Sequence, residues 1–164
     1  MAGGFHLFDG GKNKKVIPDL TIPNSVGWSP DLKTIYMTNS TAGEIIAHDY
    51  DHDTGALSNR RLFYKHAGSA DPDGFRVDVE GNLWSAMYGE ARVIKISPQG
   101  ELVGEVRIPT NNATCTQFVG TELFITTAND DEGKGGDESK RLGGAVFRVD
   151  VGVEGVGMFK YKLQ

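Results

Sequence analysis

Two short segments place an oxygen donor directly after a proline: Ile22-Pro23-Asn24-Ser25-Val26 and Asp71-Pro72-Asp73-Gly74-Phe75. In each, a short apolar strand is expected to follow. An Asn amide oxygen and an Asp carboxylate are hard donors, the kind that calcium and magnesium take. Such steps are also ordinary turn chemistry, because Pro-Asp-Gly favours a β-turn and Asn readily bonds nearby backbone. Residue type alone leaves both readings open.

Other reactive residues offer less. Asp49-Tyr50-Asp51-His52-Asp53 begins like a calcium loop, but its sixth position is Thr54 rather than Gly and its twelfth is Arg60 rather than Glu, so a hairpin turn is the better reading. Of His6, His48, His52 and His66, only His48 and His52 are four apart. They straddle a strand-to-turn boundary, where that spacing does not align side chains as it does on a helix. No Gly-x-Ser-x-Gly elbow occurs, which leaves a serine hydrolase of the α/β type unsupported. The single cysteine, Cys115, opens a predicted strand and reads as a buried small apolar residue. Trp28 and Trp84 read as packing between sheets.

The elements that must carry Asn24 and Asp73 are short strands. Runs such as Ile35-Tyr36-Met37-Thr38, Leu83-Trp84-Ser85-Ala86 and Leu123-Phe124-Ile125-Thr126-Thr127 alternate with turn signals such as Ser29-Pro30-Asp31 and Glu80-Gly81-Asn82. The pattern repeats. Tyr36 and Trp84, each closing a turn-apolar-aromatic step, lie 48 residues apart, and Phe124 follows 40 later. A period of about 40–45 residues with about four strands per unit is the signature of propeller blades. Three registers cover 24–70, 71–112 and 113–160, preceded by a hairpin through Phe5–Gly11 and Lys15–Ile17. The expected fold is therefore all-β: a partial β-propeller of about three and a half four-stranded blades, one domain over 1–164, with a charged, solvated surface loop over 129–144. Asn24 and Asp73 lie 49 residues apart, close to the offset between their blades, so they occupy equivalent places and converge on one axis.

Composition narrows the partners. The 164 residues carry 17 Lys and Arg against 22 Asp and Glu, a net charge of −5, which argues against tracking nucleic-acid phosphates. One cysteine excludes an internal disulfide and a cysteine-based zinc site. No apolar run approaches membrane-spanning length, and Met1–His6 lacks the pattern of a secretory signal. The expected location is the cytoplasm.

Taken in order, Ile22-Pro23-Asn24, Trp28-Ser29-Pro30-Asp31, Tyr50-Asp51 with Thr54-Gly55, Ser58-Asn59-Arg60-Arg61, Pro72-Asp73-Gly74, Gly81-Asn82-Leu83-Trp84 and Gly143-Gly144-Ala145-Val146-Phe147 resemble the SMP-30/gluconolactonase/LRE-like family. The resemblance implies a six-bladed propeller with one divalent cation (calcium or zinc, with magnesium and manganese as further candidates) in its central channel, and hydrolysis of sugar or related lactones. It implies that Asn24 and Asp73 are metal ligands and that Asp73 is also the proton donor and acceptor.

Two departures stand out. Ser25 replaces the glycine that usually follows the ligand Asn, and is expected to shift the backbone there. The likeness also covers only the family's C-terminal half, so the ligand Glu, a further Asn and the sugar-holding residues of the other half are not in this sequence. Three readings follow: a metal-dependent lactonase in half-length form with impaired activity alone, a non-catalytic metal- or ligand-binding propeller fragment, and self-association through open propeller edges.

Overall fold

The computed structural model describes residues 3–9 and 11–158. Its strands are β1 (Gly3–Asp9), β2 (Lys12–Leu20), β3 (Pro23–Trp28), β4 (Thr34–Asn39), β5 (Glu44–Tyr50), β6 (Leu57–Lys65), β7 (Asp71–Val77), β8 (Leu83–Tyr88), β9 (Arg92–Ile96), β10 (Leu102–Arg107), β11 (Ala113–Val119), β12 (Glu122–Thr127) and β13 (Val146–Asp150); one helix, α1 (Gly136–Leu142), precedes β13. They pair antiparallel as four sheets: β1-β2, β3-β4-β5-β6, β7-β8-β9-β10 and β11-β12-β13. Consecutive strands are neighbours throughout, the arrangement of up-and-down blades in a propeller sector. Gly10 of the expected first hairpin and residues 159–160 of the third register lie outside the described residues.

Period-two alternation decides which sheets touch. On β8, Leu83 and Met87 face a core shared with Tyr36, Ile45 and Ala47 of the preceding sheet. Trp84 and Ala86, on the opposite face, join Ala113, Leu123 and Ile125 of the following sheet. The same happens one sheet earlier, where Met37 and Ile46 pack on Ile17 and Leu20 of the first hairpin. A central sheet buried on both faces needs apolar residues at both parities, which is why its strands read as nearly continuous hydrophobic runs. Trp84 meets Phe118 of the next sheet edge-on at 6.2 Å, packing between sheets, whereas Trp28 stands edge-on to Tyr50 of its own sheet at 5.8 Å.

The β11-β12-β13 sheet differs from the four-stranded expectation. It has three strands among the described residues, and the chain after β13 turns back to the β7–β10 sheet: the Val79 amide donates to the Glu154 carbonyl and the Val156 amide to the Val77 carbonyl, each at 2.9 Å. The 129–144 segment is more ordered than a solvated loop. Asp137 and Glu138 in the first turn of α1 and Lys140 and Arg141 in the last oppose the helix dipole. Asp130, almost fully buried, anchors the segment by accepting from Ser139 Oγ at 2.7 Å and from the Gly135 amide at 2.9 Å. Cys115 is half-buried rather than buried. No described helix is long and apolar enough to cross a membrane.

Candidate functional site

The first strand of each larger sheet carries an irregularity near its start. Register shifts fall between Pro23 and Val26 on β3, between Pro72 and Phe75 on β7, and between Ala113 and Cys115 on β11. A β-bulge re-aims the side chain at the interruption, and these interruptions hold Asn24, Asp73 and Thr114. The structure brings the first two together: Asn24 Nδ2 donates directly to Asp73 Oδ1 across the sheet boundary. Thr114 Oγ1 lies 2.8 Å from Thr126 Oγ1.

Three supports hold this arrangement, and residue patterns assigned none of them this role. Thr38, fully buried on β4, donates its hydroxyl to the Asp73 carbonyl at 3.1 Å. Ser25 Oγ accepts from the Phe75 amide at 3.0 Å and lies 3.2 Å from the Phe75 carbonyl. The residue expected only to perturb the backbone therefore bridges β3 and β7. Gly74 is needed for close approach: a Cβ there would sit 2.5 Å from Cys115 Sγ and 2.7 Å from the Thr114 carbonyl. Any larger residue would push β7 from β11.

Burial pushes the half-buried Asp73 carboxyl above the ordinary carboxylate range; the bonds from Asn24 and the Gly74 amide draw it back, and the nearby charge of Asp71 raises it further. A carboxylate desolvated without a cationic partner is electrostatically costly, and a bound cation would remove that cost. An Asn and an Asp side by side suit a hard divalent ion by donor type, with the Asn24 amide turned so that Nδ2, not its oxygen, faces Asp73. The donor number falls short, since calcium takes six to eight oxygens and no cluster of three or more His, Cys, Asp or Glu poised for a metal occurs among the described residues.

The remaining candidates are structural. Asp51 Oδ1 accepts from the Asp53 and Thr54 amides at 3.0 and 2.9 Å, which makes the Asp49–Gly55 stretch a turn. His66 Nε2 lies 3.0 Å from Glu90, and His48 is buried in its sheet. Asp78, fully buried, accepts from Trp84 Nε1 at 2.9 Å and from the Asn82 amide at 2.8 Å, fixing the turn between β7 and β8.

Successive antiparallel sheets, two of them four-stranded among the described residues, define a propeller-type protein, with Asn24 and Asp73 at the bulges near the starts of β3 and β7. The family described as SMP-30/Gluconolactonase/LRE-like region matches residues 2–129, and the chain belongs to it. Regucalcin of Oryctolagus cuniculus and regucalcin of Homo sapiens are each 34% identical over 163 residues, which is 96% of this chain and 54% of theirs. The chain thus spans about half the length of these curated relatives and matches their C-terminal half. Among solved structures, a luciferin-regenerating enzyme superposes with a TM-score of 0.87 at 34% identity, over 99% of this chain and 56% of that one. The calcium-binding protein regucalcin of Agrobacterium tumefaciens gives 0.83 at 28% identity, over 99% and 57%. A gluconolactonase of Xanthomonas campestris gives 0.65 at 32% identity, over 76% and 41%.

Proposed function

We propose that the chain is a sector of about three and a half blades of a six-bladed propeller, and that Asn24 and Asp73 hold one divalent cation for the hydrolysis of sugar or related lactones. The carrying observation is the direct meeting of Asn24 and Asp73 across two sheets. Calcium is supported by the calcium-binding Agrobacterium relative, and lactone chemistry by the Xanthomonas gluconolactonase. When bound, the cation would supply Lewis-acid polarisation of the lactone carbonyl.

The chain's own groups then have defined tasks. Asn24 would help hold the cation through its amide oxygen, in place of the hydrogen bond that its Nδ2 now gives Asp73. Asp73, ionised beside a cation, accepts a proton from the attacking water and returns it to the alkoxide that leaves as the ring opens. Thr38 and Ser25 act at a distance by fixing the backbone of β7, so that the carboxylate does not wander by the ångström that positioned catalysis cannot tolerate.

Two donors are few for a hard cation, and that observation favours a second reading in which the chain binds an ion or ligand weakly without turnover. Assay of glucono-1,5-lactone hydrolysis with added calcium, zinc, magnesium or manganese separates the two. The first reading predicts metal-dependent turnover that falls by roughly 10²-fold or more in Asp73→Asn. Turnover unaffected by that substitution refutes the role given to Asp73, and a folded chain without turnover selects the second reading.

A further inference from the structure

A cavity of about 590 Å³ opens between the second and third larger sheets, at the same end as Asp73. Its lining combines Ser69 and Asp71 around the start of β7, Tyr88 and Gly89 at the β8–β9 turn, and Asn111 and Asn112 of the β10–β11 connection. Residues of the β12–β13 connection, among them Asp131 and Lys134, complete it. Its size falls in the range of small-molecule sites, roughly 300–1,000 Å³. Asp71 opens the strand that carries Asp73, and its charge reaches that carboxyl, so the cavity adjoins the proposed reaction site.

Its lining specifies a class of ligand. Asn112 spends its amide nitrogen on the Asn129 carbonyl at 2.8 Å and accepts from Asn111 Nδ2 at 3.4 Å, while Asn111 Oδ1 and the Tyr88 hydroxyl have no hydrogen bond among the described residues and suit a molecule rich in hydroxyls. The charge balance is negative. Lys134 is engaged by Glu132 at 2.6 Å, and Asp130 is occupied by Ser139 and the Lys134 and Gly135 amides. Asp71 accepts no hydrogen bond among the described residues, and Asp131 accepts only from Asn129, at 3.2 Å. An incoming carboxylate would meet the charge of half-buried Asp71, where screening is weaker than in bulk water, and that of exposed Asp131, where salt screens it more.

We propose that this cavity is a specificity subsite for neutral polyhydroxylated molecules that repels their acid forms through Asp71 and Asp131. The reaction context rests on the lactonase reading. A lactone enters uncharged; water adds across the ester C–O bond, the ring opens to a hydroxyl and a carboxylic acid, and the acid loses its proton to solvent. The subsite thus accepts the substrate's charge state and expels the product's.

The test measures binding of glucitol and of gluconate to the full chain by titration NMR, with EDTA present so that no metal contributes. Glucitol is expected to saturate, and gluconate to bind at least tenfold more weakly, the gap narrowing at high salt. In D71N/D131N, whose fold is checked by circular dichroism, glucitol should still saturate and gluconate should come within about threefold of it. Equal or tighter gluconate binding in the native chain, no glucitol binding, or an unaltered ratio in the double variant would each overturn the proposal. These outcomes are independent of turnover: a preserved neutral-over-acid preference with hydrolysis intact in Asp73→Asn sinks the lactonase mechanism alone, and the reverse pattern sinks the subsite alone.

Discussion

At the scale of single residues, the pair Asn24 and Asp73 was legible because each follows a proline at an equivalent place in a repeat. Its supports were not. Ser25 reads as a departure from a glycine, yet its hydroxyl meets both backbone groups of Phe75. Removing that hydroxyl leaves a buried amide and carbonyl short of a partner, at about 1–3 kcal/mol. Ser25→Ala should therefore lower the unfolding free energy by that amount, seen as a lower denaturant midpoint, and Ser25→Gly at least as much, since glycine adds backbone freedom to the loss. Chemical denaturation of the two variants checks this; unchanged midpoints would mean that the bridge carries no stability. The bulges that aim Asn24 and Asp73 were also invisible, because a bulge is a mismatch between two strands and neither strand records it alone.

At the scale of elements, the turn-apolar-aromatic steps located most strands, since alternation and turn residues are local signals. The helix α1 escaped because seven residues make barely two turns, too few to show a 3.6-residue period, and its charges resembled a solvated loop. The fourth strand expected in the β11-β12-β13 sheet does not occur among the described residues; those after β13 bond to the end of β7 instead, a long-range pairing. Connections between elements also set the response to pH. Glu90 joins the segment after β6 to β9, lying 3.0 Å from His66 Nε2 and 2.6 Å from Arg92. Burial tends to raise its carboxyl, but the bonds and charges of His66 and Arg92 outweigh that and hold it below its usual 4.5. A carboxyl lowered by folding binds fewer protons in the native state, so its stabilisation is fully present above the unfolded value and is lost as pH falls through the folded one. Thermal unfolding followed from pH 6 down should show stability declining below about 4.5, with a shallower decline in Glu90→Gln. Parallel declines would show that this cluster does not link folding to protons.

At the scale of the whole molecule, the cores are not confined to single sheets. Each sits between two neighbours, so the β7–β10 sheet couples both of its flanks. Phe75, fully buried at the junction of β3 and β7, should cost about 3–5 kcal/mol when replaced by alanine. Because its sheet is shared, the near-ultraviolet signal of Trp84 on the opposite face should be lost in the same transition as the far-ultraviolet signal. Separate transitions would show that the sheets unfold independently. The repeat made this layered organisation readable, whereas the cavity between the second and third sheets was not, since its walls come from four connections with no shared pattern.

The account turns on a cation held by residues from two sheets. Calorimetric titration of the full chain with calcium, beside Asp73→Asn under the same conditions, tests it most directly. One saturable ion per chain with a dissociation constant below about a millimolar, weakened at least tenfold in the variant, is the predicted result. No calcium binding in that range, or the same isotherm for both proteins, would contradict it.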